Sequence, residues 1–351
     1  ENGNVVVDGS VTGSTGTIRM NTNGRSLSGS GTIGSIVLAS QNFSFLSGSN
    51  LTINNNINSS GRTVTNNGTV TLNGNYARTG GTAVWTQGTN AVLNIGGIFT
   101  PTANVTLTAI ASGNTVNYNG SSQAVEPASY VNLTLSGSGA ASMVTGTSVS
   151  GTMSIAPTGS ATASIGAGLT LTVANLTLGG LGRINGTWGS TSSTATYKND
   201  TYFAATTGRL NVTNDTRAGQ TITFAALSDK VLGDPDFDVS ATASSGLPVS
   251  FASLTTGVCT VSVATVHLVS AGTCTIRASQ AGDTSYIAAP NVDRSFAVAA
   301  PVLDHFAFAA IGTQAAGVPF NITITAQDAS NNTLTGYAGT VDLTTNAGII
   351  A

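Results

Sequence analysis

The sequence predicts an all-β protein: a parallel β-solenoid followed by β-sandwich domains, the last one incomplete. Three observations predict it. Only 7% of the 351 residues are charged while 43 are glycine; in such a chain Thr and Val supply strands and Gly and Asn supply turns. Apolar and polar residues alternate at period two almost throughout, with "SSQAVEPASY" standing out as a turn or short irregular loop. Up to Asn211 the alternating segments recur at steps of roughly 17 to 23 residues, within the range of solenoid repeats.

The recurring segments are "NLTINN" near Leu51, "GTVTLNG" near Val70, "AVLNIGG" near Val92, "NTVNYNG" near Thr115, "VNLTLSG" near Asn132, "GTMSIA" near Thr152 and "LTLTVANLTLGG" near Leu171. In a parallel solenoid each coil lays its strands on those of the coil before, so the hydrogen bonds run between coils. Val, Ile and Leu then point inward, and Thr, Ser and Asn point outward. Sharp corners call for Gly and Asn, and stacked Asn side chains can form ladders. The competing fold is a string of small sandwiches. Even spacing and the absence of a sandwich-sized block favour the solenoid, over residues 1–213.

Residues 182–213 leave the rhythm and concentrate Trp188, Tyr197, Tyr202 and Phe203 with Arg183, Lys198, Asp200 and Arg209. This stretch is expected to cap the solenoid, its aromatics covering the last coil. The sharper alternative makes Trp188 a sugar-stacking platform. After "NDTRAGQ" the composition shifts, and residues 218–300 hold some seven alternating strands, the pattern of a sandwich. Residues 302–351 begin a similar unit with three or four strands, short of the roughly 100 residues a sandwich normally needs. An incomplete sandwich has an open edge that invites pairing, so self-association or the neighbouring domains of a larger chain are the expected partners. The N-terminal "NGNVVVDGSV" is a candidate strand donor to such an edge.

In the middle block, "QTITFAAL", "SSGLPVSF", "VCTVS", "AGTCTI", "ASQAGDTSY" and "SFAVA" resemble the bacterial immunoglobulin-like repeats of very large secreted surface proteins. "GVPFNITITAQDASNNTLTGYAGTVDLTT" looks like a further such repeat, cut short. "NTVNYNGSSQAV", "YVNLTLSGSG" and "GTWGSTSSTATYKNDTYFAATTGRLNV" are similar to the β-strand-repeat regions of the same proteins. The resemblance implies immunoglobulin-like sandwiches, a bacterial extracellular or cell-surface location, an adhesive or architectural role, and no shared catalytic residues. One departure concerns the residues after "CTVS". The repeats carry a glycine turn there, and this chain reads "SVATVH", which leaves that hairpin's turn type open.

Charge narrows the function further. Net charge is −3; up to Asn211 there are seven Lys or Arg against four Asp or Glu, and beyond it four against ten. Neither part has a basic run, so nucleic acid lacks its electrostatic footprint. No apolar run approaches the 18 residues of a membrane helix, and "SFAVAAPVLDHFAFAAIG" is broken by Pro301, Asp304 and His305, so membrane insertion is not expected. The chain begins at Glu1 with neither an initiator Met nor a signal peptide, as a processed or trimmed chain would. Cys259 and Cys274 flank "TVHLVS" in an otherwise cysteine-free chain. A three-strand meander would bring them together as a disulfide, which suits an oxidising compartment; a redox or metal pair would want CxxC spacing.

Chemical motifs are sparse. "GSGTIG" (Gly29 to Gly34) matches a dinucleotide fingerprint, but the strand-like "SIVLAS" follows where a helix is needed, and no cofactor is expected. Solenoid lyases and hydrolases need paired carboxylates or Asp clusters. Here the acids are Glu1, Asp8, Glu126 and Asp200, and no two of the inner three share a coil or neighbouring coils. Asp234, Asp236 and Asp238 alternate in "GDPDFDV"; they read as a solvated edge strand, or as a calcium site helped by Asp229 or Asp283. His267 and His305 are expected outward and lack metal-ligand spacing. Asn-x-Ser/Thr triplets are numerous, as chance produces in this composition. The pairs Thr69/Thr71, Thr106/Thr108 and Thr170/Thr172 lack the single spacing that an ice-binding face requires. Three functions remain in order: a non-catalytic structural or adhesive element, built into a filament or surface array; an adhesin with a solenoid groove for glycans or cell surfaces; and a polysaccharide-acting enzyme, whose residues are missing.

Overall fold

The computed structural model describes residues 5–10, 16–20, 25–38, 42–78, 80–99, 105–315 and 317–343, and among them there is no helix. The chain forms two compact units, one spanning Glu1–Ala218 with Asp283–Tyr286, the other Gly219–Gly282 with Ile287–Ala351.

The first unit is a parallel β-solenoid of about seven turns. Its longest regular ladder stacks Asn50–Ile53, Thr69–Leu72, Val92–Ile95, Thr115–Tyr118, Asn132–Leu135 and the second halves of Ser148–Ile155 and Thr170–Leu178, all parallel. Asn50 pairs with Thr69, Thr69 with Val92, Val92 with Thr115, Thr115 with Asn132, Leu133 with Met153 and Met153 with Leu176. Those steps of 19, 23, 23, 17, 20 and 23 residues fall within the spacing read from the sequence, and these strands are the seven recurring segments. Earlier coils extend the ladder through Arg25–Ile33 to Val5–Ser10. Val5–Ser10 thus bonds along one edge to its own solenoid; the rest of the candidate donor segment lies outside the described residues.

Two further ladders close the coil. One runs through Phe43–Phe45, Thr63–Asn66, Ala83–Gln87 and Val105–Thr108, and on to Arg209–Val212. The other runs through Thr17–Met20, Ser35–Leu38, Ile57–Ser59 and Tyr76–Arg78 at one end, and pairs Ser138–Met143 with Ser160–Ile165 further along. Strict alternation puts Leu51, Val70, Leu93, Val116, Leu133, Met153 and Leu176 in one buried stack. This burial is the main driving force, since a coil's own strands make no hydrogen bonds within it. "GSGTIG" lies in Arg25–Ile33 and runs into the strand Ser35–Leu38.

At the C-terminal end the parallel order stops. Gly186–Gly189 runs antiparallel to Arg209–Val212, covering the strand that would otherwise offer an open edge. Trp188 is buried, stacks on Tyr197 with ring centroids 4.8 Å apart, and donates Nε1–H to the Ile184 carbonyl at 3.0 Å. Phe203 is buried beside Ala163, and Tyr202 packs half-buried against the same core. An indole held this way has no free face for a sugar.

The second unit holds a four-stranded sheet that contains Ser250–Ser253, Gly272–Ser279 and Val292–Ala299, and a three-stranded sheet that contains Cys259–Ser262 and Thr265–Leu268. Cys259 and Cys274 are joined, with Cα atoms 5.7 Å apart and both residues fully buried. The bond was expected within a three-strand meander. It instead crosses from one sheet to the other, because the chain leaves the hairpin after Leu268 and Gly272–Ser279 pairs elsewhere. Closing a loop of this size stabilises by about 3 kcal/mol on the chain-entropy account. Beyond residue 302, the three or four expected strands reduce to the pair His305–Phe308 and Ile324–Gln327 among the described residues.

The hairpin Cys259–Ser262 to Thr265–Leu268 turns at Val263, which sits at φ 58° and is 91% exposed. This left-handed conformation costs a β-branched residue about 1–2 kcal/mol. Val263→Asn is therefore expected to stabilise the second unit by about 0.5–1 kcal/mol, since Asn tolerates that region. Denaturant unfolding checks it; a lower midpoint would contradict the turn assignment.

Candidate functional site

The outward side chains of the longest ladder form the most regular surface on the solenoid. Thr52, Thr71, Asn94, Asn117, Thr134, Ser154 and Thr177 stand in register on successive strands, about 4.8 Å apart. Three of the six successive pairs are hydrogen-bonded along the column. Asn94 Nδ2 donates to Thr71 Oγ1 at 3.1 Å, Asn117 Nδ2 to Asn94 Oδ1 at 3.1 Å, and Thr177 Oγ1 to Ser154 Oγ at 2.9 Å. Ser136 Oγ donates to the free lone pairs of Asn117 Oδ1 at 2.7 Å. The corners do the same through backbone: Asn56 Oδ1 accepts from the Asn75 amide and Asn75 Oδ1 from the Ile98 amide. The outward, half-buried polar groups of the column therefore serve as a second set of ties between coils, outside the backbone ladder. None of them titrates. The three Thr pairs fall on two ladders, Thr69/Thr71 on this one and Thr106/Thr108 and Thr170/Thr172 on its neighbour, so the three do not form one common face.

One corner of the solenoid carries a shallow groove lined by Ser47, Ser49, Asn50, Asn67, Thr69, Thr89 and Asn90. Every polar group in it is a hydroxyl, an amide or backbone. It can hydrogen-bond a neutral polar ligand but offers no acid or base.

The acids are dispersed. Glu1 lies outside the described residues. Asp200 is exposed in the cap, where both carboxylate oxygens accept from Thr191 at 2.8 Å, which holds its pKa below the usual range. Glu126 is 7% exposed, and burial pushes its carboxyl up to about 7. Sequence reading placed Glu126 only as one scattered acid. The signal that marks it is its setting: it is the one charged residue between Arg78 and Arg183.

In the second unit Asp234, Asp236 and Asp238 turn to separate partners. Asp234 Oδ2 accepts from the Val231 amide at 3.0 Å, Asp236 Oδ1 pairs with His267 Nδ1 at 2.8 Å, and Asp238 Oδ1 accepts from Thr265 Oγ1 at 2.7 Å. Asp229 of this unit, and Asp283, which belongs to the first, are likewise engaged with backbone amides. Among the described residues no group of three or more His, Cys, Asp or Glu is placed to hold a metal. His305 lies between Asp304 and Gln327.

These features define a class, an all-β protein built on a parallel β-solenoid with a disulfide in its second unit. No protein-family model matches the chain, and no curated protein or solved structure matches it significantly.

Proposed function

We propose that the chain is a non-catalytic, extracellular structural or adhesive element: a β-solenoid joined to immunoglobulin-like spacer domains. One observation carries this reading. Outward Asn and Thr side chains bond coil to coil at successive positions, as in Asn117 to Asn94 and Asn94 to Thr71. A surface used in this way is insensitive to salt and pH and adds to mechanical cohesion. The buried disulfide joining two sheets supports both the sandwich reading and an oxidising compartment. Self-association or neighbouring domains of a longer chain supply its partners, and no cofactor is required.

A second reading, a glycan-binding adhesin, is favoured by the uncharged groove at Asn50 and Asn67. A glycan array and a pull-down on insoluble polysaccharides with the whole chain separate the two. The structural reading expects no saturable binding and no turnover. Saturable binding would favour the adhesin, and cleavage of any glycan would contradict both.

A further inference from the structure

Glu126 lies in the loop between Thr115–Tyr118 and Ser129–Tyr130. Its Oε2 is buried without a hydrogen-bond partner. Leaving a carboxylate in that position is costly, whereas the neutral acid is tolerated there. Its backbone is clasped by two tyrosines. The Glu126 amide donates to Tyr118 Oη at 2.9 Å, Tyr130 Oη donates to the Glu126 carbonyl at 2.5 Å, and the two hydroxyls are 3.2 Å apart.

The same loop is pinned from both sides. Gln123 Nε2 donates to the Ile95 and Gly97 carbonyls at 2.8 and 2.6 Å. The Ser122 and Val125 amides donate to the Ser138 and Ser142 carbonyls. Every one of these segments falls between Arg78 and Arg183, where Glu126 is the only Asp, Glu, Lys, Arg or His. The titratable groups that face it are therefore Tyr118 and Tyr130. Burial raises both hydroxyls, that of Tyr118 to about 12, so they stay neutral and supply no counter-charge.

We propose that the loop of residues 119–128 is a pH-sensitive latch, closed while Glu126 is a neutral acid and opened when its carboxyl ionises and leaves the coil interior for water. The backbone has to follow the side chain. The amide and carbonyl of Glu126 are the clasped groups, and Pro127 fixes the next φ. The direction follows from the raised pKa. A carboxyl that moves from 4.5 up to about 7 on folding favours the closed loop fully below the lower value, and that contribution is lost as pH rises through the upper one.

Hydrogen–deuterium exchange of the intact protein at pH 4.5 and pH 8.5, corrected for intrinsic exchange rates, tests the latch. Protection of the Ser122, Val125 and Glu126 amides should fall at least tenfold at the higher pH, with a ceiling of about 300-fold set by the pKa gap. The strand Thr69–Leu72 should keep its protection. Glu126→Gln should hold the loop closed at both pH values. Equal wild-type protection at the two pH values overturns the proposal even if the variant fails to fold. So does an equal fall in Glu126→Gln, because the carboxyl would then be irrelevant.

Discussion

Trp85→Ala is expected to cost about 4 kcal/mol, the largest loss from any single side chain in the solenoid. Trp85 is fully buried and stands at the centre of an aromatic cluster. It lies 5.3 Å from Tyr76 and 6.0 Å from both Phe45 and Phe99, centroid to centroid. Its Nε1–H donates to Gln87 Oε1 at 2.9 Å, and the same oxygen accepts from Asn66 Nδ2 at 2.9 Å. Alanine removes the packing of three rings at once and leaves a cavity that rigid coils above and below cannot close. Trp85→Phe keeps most of the packing and leaves Gln87 with its Asn66 bond, so about 1–2 kcal/mol is expected there. Urea unfolding followed by Trp188 fluorescence measures both. Equal costs for the two variants would show that the cluster is not what holds these coils.

Gly137→Ala is the second large effect, expected at about 3 kcal/mol. Gly137 has no need of a left-handed conformation. Its constraint is close approach: a Cβ there would lie 1.8 Å from the Gly120 carbonyl oxygen and 2.7 Å from the Asn119 carbonyl carbon. Both are backbone, so the coils would have to part, and parting breaks the bond from the Ser138 amide to the Gly120 carbonyl. The corner repeats itself, since a Cβ on Gly120 would meet the Gly96 oxygen at 2.1 Å and one on Gly97 the Gly74 oxygen at the same distance. Gly80→Ala is the control, with nothing within 4 Å of its Cβ position, and should leave the melting temperature unchanged. A harmless Gly137→Ala would contradict the tight corner.

The longest ladder was legible in the sequence because its strands are at least four residues long and alternate cleanly, as Val92–Ile95 does with Leu93 and Ile95 inward. The other two sides were hidden. Phe43–Phe45 and Ile57–Ser59 are only three residues long, too short to show a period, and Asn66 and Gln87 occupy inward positions where an apolar residue is the default. Asn66 Nδ2 and Trp85 Nε1 both donate to Gln87 Oε1, and Asn66 Oδ1 accepts from the Gly68 amide, a network visible only once coils 21 residues apart are stacked, while Gln87 Nε2 stays buried without a partner. The role of the outward Asn residues was half legible. Stacking could be foreseen from their frequency, but their partners depend on register. Glu126 was named and its burial missed, because inward and outward cannot be told apart in a loop without a period. The disulfide pairing followed from there being two cysteines, while its path between sheets depended on where the chain leaves the hairpin.

The central claim is that the uncharged outer face ties coil to coil. Asn117→Ala tests it most directly, because this side chain bonds to both Asn94 and Ser136. Equilibrium unfolding and glycan binding should be measured on the same intact protein and on this variant. The account predicts a loss of about 1–2 kcal/mol in stability, with no saturable glycan binding by either protein. Unchanged stability, together with glycan binding in the parent that the variant loses, would contradict it.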